Sequence, residues 1–395
     1  MFKNKNKKNN KNKNNNNKNK YTLYEGIGFE VIAEVLNGRI KIEVEGKLSR
    51  AVKPLIKKMI KLLHGEKAIK TSDQLYISTW LPPVPSKPFE RYSKAQFHAI
   101  LGRMTPDQVT IAITEECPNF CKHCALPDTK NKARLSLNEI KTAIEQALAL
   151  GTTLVIFDGG EPLTYGDLSS AIKMVEGSKA ISTLFTSGYG LTFEKALELK
   201  QAGLYAVNVS LDFPEEKRHD EMRGRVGVFT EAIEAIENCL KAGLLVDIYV
   251  VLSPENIDYL EDFYTLAVET NAHELTFYEI VPTGRWLNGE VLNESERIKL
   301  DRFIESVRNQ AGPRVMSIPH IMKTTGCFAG RKWLHITPQG EVWPCACIPI
   351  SYGNIKSQRL EEIWRRIRAQ QIYRDLNIDC LMRNSEFRLK YLKYK

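Results

Sequence analysis

Three thiols stand close together in Cys117-Pro-Asn-Phe-Cys121-Lys-His-Cys124, a C-x3-C-x2-C spacing. Thiolate sulfur is a soft ligand that prefers zinc or iron–sulfur clusters to hard cations, so three of them this close in sequence point to one metal centre. Two plainer arrangements bear on that reading. A structural zinc site ordinarily brings a second Cys or His pair near at hand, yet the next cysteine is Cys239, alone in an apolar helical pattern and most simply a small buried hydrophobe. A ferredoxin-type run carries a fourth Cys, which is missing. Three ligands on a four-iron cluster would leave one iron open to something that is not protein.

Further along lie residues suited to a small polar ligand. Asp158-Gly159-Gly160-Glu161-Pro162 follows an apolar run; its two glycines let backbone approach a ligand, and the Glu161 carboxylate suits an ammonium group. Thr186-Ser187-Gly188 and Ser210-Leu211-Asp212 each end an apolar run in the same way, and Arg223-Gly224 adds a guanidinium able to clamp a carboxylate. Any one of these could cap a helix. Their recurrence at successive strand ends favours a ligand, and an amino-acid headgroup fits the set.

The elements that must position these residues follow a strand, loop, helix rhythm from Gln108 onward. Strands are predicted over 109–114, 153–158, 181–186, 205–211, 245–252 and 274–281, with helices between. One helix opens on the capping box Ser136/Glu139 and stops at Gly151. Six such units imply a parallel sheet, curled or doubly wound, with its chemistry at the carboxyl ends of the strands. Upstream, residues 29–36 and 39–45 alternate around Asn37-Gly38, a strong hairpin signal. Val52, Leu55, Ile56, Met59, Ile60 and Leu63 then fall at helical spacing opposite four lysines, which reads as core packing with a membrane-surface helix as the alternative. The proline-rich segment 80–88 reads as a stiff connector.

Composition narrows the class. A chain of 395 residues with 43% hydrophobic content can build a sizeable core over two or three domains. The formal charge of +9 owes eight lysines to the first twenty residues, a Lys/Asn tail expected to be disordered; the rest is nearly neutral, so nucleic acid is not an expected partner. With no apolar run long enough to span a bilayer and no signal peptide, the expected address is the cytoplasm, where eight cysteines suggest metal or redox chemistry.

In their order and spacing these motifs resemble the radical S-adenosylmethionine (SAM) superfamily over about residues 105–290. The resemblance implies a [4Fe-4S] cluster on Cys117, Cys121 and Cys124. It implies SAM contacts from Gly159, Gly160, Glu161, Pro162, Thr186, Ser210, Asp212, Arg223 and Pro282. The fold implied is a partial (β/α)6 TIM-like barrel, in the α/β class. Two positions depart from the pattern: His123, where an aromatic is common, and Asp158, where Thr or Ser is common.

Downstream, Cys327, a predicted hairpin over 333–336 and 341–343 turned at Pro338-Gln339-Gly340, then Cys345 and Gly353-Asn354-Ile355, resemble the twitch or SPASM extension. Only Cys327, Cys345, Cys347 and Cys380 lie in this region. The expected form is therefore the shorter one, with a single auxiliary [4Fe-4S] cluster on Cys327, Cys345 and Cys380; either Cys347 completes the ligation or one iron stays open. Zinc is the alternative for the same four thiols. The expected division is a 1–20 tail, a 21–100 α+β module with linker, a 101–310 barrel and a 311–395 auxiliary-cluster domain. The activity implied is reductive SAM cleavage and hydrogen abstraction, from a peptide or protein or else from a small molecule or tetrapyrrole. A ferredoxin or flavodoxin is the expected reductant. The other classes weighed are an iron–sulfur carrier or scaffold, and a nucleic-acid modifier steered by the tail. Glu279 and His320 are the candidate substrate-pocket groups.

Overall fold

The computed structural model describes residues 19–71, 73–126, 132–377 and 379–392; the expectation of a disordered tail falls almost wholly outside them. At the amino end, β1 (Lys20–Gly26), β2 (Phe29–Leu36) and β3 (Arg39–Glu45) form an antiparallel sheet. The β2–β3 hairpin has the expected bounds. Asn37 and Gly38 both take positive φ, 52° and 74°, the hand that matches strand twist in a two-residue turn. β1 was not legible in the sequence, since it begins inside the Lys/Asn-rich stretch. The expected single helix is two, Ser49–Leu55 and Lys57–Leu63. Pro54 lies inside the first and cannot donate an amide, and Leu55, expected in the buried stripe, is exposed. Two short strands follow, β4 (Ile69–Lys70) and β5 (Leu75–Tyr76).

The larger sheet holds the six expected strands with small shifts at their ends: β6 (Gln108–Thr114), β7 (Leu154–Gly159), β8 (Ile181–Thr186), β9 (Ala206–Ser210), β10 (Leu245–Leu252) and β11 (Glu274–Glu279). All pair in parallel, in sequence order. Two further parallel strands extend it: β12 (Arg314–Ser317) beside β11, past the boundary expected at 310, and β13 (Trp333–Ile336) beside β6. β14 (Val342–Trp343) pairs antiparallel with β13, so the predicted hairpin forms but becomes one edge of the barrel sheet. The capping box at Ser136 and the left-handed Gly151 that ends its helix are both present.

The segment read as a connector does more than connect. Glu274, at the first residue of β11, accepts hydrogen bonds from Thr79 N (2.7 Å), Thr79 Oγ1 (2.6 Å) and Ser78 Oγ (3.0 Å), and it also pairs with Arg314. Trp80 Nε1 donates to Asp247 (3.2 Å) and Tyr205 Oη to Leu81 O (3.0 Å). Residues 78–81 thus plug the amino end of the barrel. Apolar residues 23–89 keep a core of their own, while one continuous core runs from Val109 to Phe387 through barrel and extension.

Replacing Glu274 by Ala leaves Arg314 with Glu66 as its remaining carboxylate and the Ser78 and Thr79 donors unsatisfied. The expected loss is about 3 kcal/mol, read as a lower urea midpoint.

Candidate active site

The loop carrying Cys117, Cys121 and Cys124 leaves the carboxyl end of β6 and is gripped from three sides. Gly160 N donates to Thr114 O and Glu161 N to Glu116 O, both at 2.7 Å. Phe120 N and Lys122 N donate to Arg223 O and Met222 O, both at 2.9 Å, so the loop pairs with the end of helix Glu216–Arg223. Arg285 N donates to Cys124 O (3.0 Å), Arg285 Nη1 to Cys121 O (2.9 Å), and its guanidinium lies 3.5 Å over the Phe120 ring.

All three thiols line one cavity of about 790 Å³ at the carboxyl ends of the strands. Gly159, Gly160, Glu161, Thr186, Ser210, Arg223 and Glu279 line it too, as the sequence suggested. So do Cys345 and Cys347, which reach it from the hairpin beside β6. The four downstream cysteines come together: Cys345 and Cys347 are in hydrogen-bond contact, and both Cys327 and Cys380 lie close enough to Cys347 to feel its charge. The amides of Ala329 and Leu381 point at the Cys327 thiol, and Tyr278 Oη sits 3.6 Å from Cys347 Sγ.

These donors fit iron–sulfur clusters. Among the described residues no three His, Cys, Asp or Glu side chains converge tightly enough to hold a single metal ion. A tetrahedral zinc would need its sulfurs about 3.8 Å apart. The fit rests on the donor set, three thiols in one loop and four in the extension, all of a type that iron–sulfur clusters take. Burial raises the Cys124 thiol, so its proton must leave when iron binds.

Several expected ligand contacts are already spent within the chain. Glu161 accepts from Thr186 Oγ1 (2.7 Å), Ser187 N (2.8 Å), Ser187 Oγ (2.7 Å) and Leu163 N (3.2 Å), which fills the roughly four lone-pair positions of a carboxylate. It ties β7 to β8. Arg223 is 2.7 Å from Asp212 and 3.8 Å from Cys121 Sγ; Asp212 is fully buried, faces His123 at 3.6 Å, and does not line the cavity. Pro162 and Pro282 also stand behind the wall. Glu279 is bound by Arg297 (2.9 Å) and Arg383, a buried ion network that also takes in Asp379 beside Cys380. His320 lies outside the cavity, paired with Asp301 at 2.9 Å.

Sequence reasoning missed an aromatic interior. Trp80, Phe185, Tyr249, Tyr278, Trp333 and His335 all line the cavity. Inward alternation along β8, β10, β11 and β13 was the available signal. Asp158, noted only as a departure from a family pattern, lines it as well; burial pushes its carboxyl up to about 6, with Glu161 adding to the shift.

Residues 111–267 match the family model described as the radical SAM superfamily, and residues 327–388 match SPASM, an iron–sulfur cluster-binding domain. An AdoMet-dependent heme synthase of Oleidesulfovibrio alaskensis is 27% identical over 283 residues, covering 64% of this chain and 73% of its own. A PqqA peptide cyclase of Streptomyces rochei is 28% identical over 287 residues, covering 68% and 78%. In fold, the chain is similar to Streptococcus suis SuiB bound to precursor peptide SuiA, with a TM-score of 0.60 at 13% identity over 88% of this chain and 87% of that one.

Two outcomes follow from this geometry. A Cβ at Gly284, where φ is +51°, would lie 2.1 Å from Cys124 O, so Gly284→Ala should displace the cysteine loop. Iron and sulfide analysis should then show loss at the first thiol set only, with the downstream set still loaded. Burial alone pushes His335 down to about 4, against about 6.5 in an unfolded chain. Between those values only the unfolded state binds the proton, so stability falls as pH drops from about 6.5 towards 4, by on the order of 3 kcal/mol. His335→Phe should flatten that part of a Tm-against-pH curve.

Proposed function

The chain belongs to the radical SAM superfamily and carries a SPASM domain, and on that footing we propose that it modifies a peptide or protein by hydrogen abstraction at the aromatic-lined cavity. When bound, the reduced cluster and SAM supply the hydrogen-abstracting agent, a 5′-deoxyadenosyl radical. The chain's own residues orient and enclose. Cys117, Cys121 and Cys124 would hold the SAM cluster, with the Gly159–Gly160 backbone, Ser210 and Arg223 beside it. Cys327, Cys345, Cys347 and Cys380 would hold the auxiliary one. A small reductant such as ferredoxin or flavodoxin would deliver electrons, and the walls around Trp80, Phe185 and Tyr249 exclude water from the reacting group.

The observation that carries this reading is the single cavity bounded by both thiol sets, since a substrate held between them touches the radical source on one side and an electron acceptor on the other. Two features support a peptide. The likeness to SuiB, whose solved structure holds its precursor peptide, spans 88% of the chain, and a relative named for cyclising the PqqA peptide matches 68% of it. The β1 edge of the module, paired on one side only, suits strand addition by an extended peptide. A second reading, a tetrapyrrole substrate, is favoured by the relatives named as heme synthases.

Anaerobic reconstitution with SAM and dithionite tests the assignment. The wild type should form 5′-deoxyadenosine, Cys117→Ala should form none, and Cys345→Ala should still cleave SAM while losing substrate turnover. Peptides bearing deuterium at candidate positions should pass it to 5′-deoxyadenosine. Transfer from a deuterated porphyrin and from no peptide would overturn the peptide reading.

A further inference from the structure

Of the four carboxylates in the cavity wall, three are engaged by the chain. Glu115 accepts from Ala133 N (2.9 Å) and Gln339 Nε2 (2.7 Å), Glu161 is saturated by the β8 loop, and Glu279 is held by two arginines. Asp158 is the exception: among the described residues its carboxylate is met by the neighbouring Gly159 amide and by no side chain. Its direction is set by the strand. Val155 and Phe157 pack outward under the helices, Leu154 and Ile156 pack inward by Trp80, and the same alternation turns Asp158 into the cavity above Ile156.

The surroundings of Asp158 match one kind of ligand. Tyr249 is near enough to feel its charge and forms an edge contact with Phe185 (4.8 Å) and a stacked one with Tyr278 (6.1 Å), so the carboxylate stands beside a tier of ring faces. Aromatic faces together with one anion recognise organic cations. The arginines of the wall, Arg223 and Arg285, are tied to Asp212 and to the cysteine loop, and no cation is among the groups acting on Asp158.

We propose that Asp158 is a specificity-determining residue and that the substrate presents a positive charge to it, an ammonium or guanidinium group carried by the reacting portion. On the peptide reading above, on which this rests, that group is a lysine or arginine side chain entering beside Tyr249. A half-buried carboxylate with no side-chain partner among the described residues gains from a cation that reaches it, which is consistent with its raised pKa.

SAM itself carries an ammonium and a sulfonium, so the test must separate cofactor from substrate. Reconstituted enzyme is titrated calorimetrically with SAM, and then, with SAM present, with Gly-Ala-Xaa-Ala-Gly peptides in which Xaa is lysine, norleucine or glutamate. Butylammonium and butanol serve as a backbone-free pair. The lysine peptide should bind about tenfold or more tighter than the norleucine peptide, and the glutamate peptide weakest. Asp158→Asn should erase that preference with SAM affinity unchanged, and Asp158→Glu should restore part of it. Loss of SAM affinity in Asp158→Asn by the same factor would reassign the carboxylate to the cofactor and overturn the inference. So would a wild type, or an Asp158→Asn variant with an unaltered melting curve, that shows the same lysine preference as the other. If butylammonium outbinds butanol in an Asp158-dependent way while no peptide binds, the inference stands and the peptide reading falls.

Discussion

The cysteine loop is held where no side chain fits. A Cβ at Gly160 would lie 2.2 Å from Glu116 O, one at Gly224 2.4 Å from Phe120 O, and one at Gly284 2.1 Å from Cys124 O. These three glycines come from the ends of three different strand–helix units, so the loop is fixed only once the sheet has curled and brought those ends round it. Gly224 and Gly284 also take positive φ, which an L side chain would resist in addition to the clash. Thiol geometry therefore depends on closure of the barrel more than on anything local to Cys117–Cys124.

The same closure explains why two thiol sets face one cavity. β13 pairs with β6, whose end carries the first set, and the hairpin it begins delivers Cys345 and Cys347 to the same cavity. The Glu279–Arg297–Arg383–Asp379 network then ties the Cys380 loop to the end of β11. At the other end of the barrel, residues 78–81 donate hydrogen bonds to the buried Glu274 and to one oxygen of the buried Asp247, polar groups otherwise facing an apolar interior.

Legibility differed by the distance over which each feature is decided. Strand positions were readable because apolar runs bounded by turn residues are local, and the Ser136 capping box and Asn37-Gly38 turn are complete within a few residues. The helix break after Pro54 was readable in principle from the proline itself. Ligand types at the strand ends were readable; their partners were not. Glu161 looked free because Thr186 and Ser187, which saturate it, are 25 and 26 residues away. Arg223 looked available to a ligand because the Asp212 that holds it sits on another loop. Glu279, near the end of the sixth predicted strand, and His320, before the extension, were equal candidates for the substrate pocket, and only packing put the first in the cavity wall and the second outside it.

The sequence by itself determined the donor types, six parallel strands with helices between them, and the Ser136 cap, because residue type and short-range spacing carry that information. The tertiary structure alone decided that β13 joins β6, that Trp80 enters the barrel from below, and that Asp158 meets no side-chain partner among the described residues. Each of those depends on which groups from distant segments arrive at the same place, and a buried charge is spent or available according to what arrives.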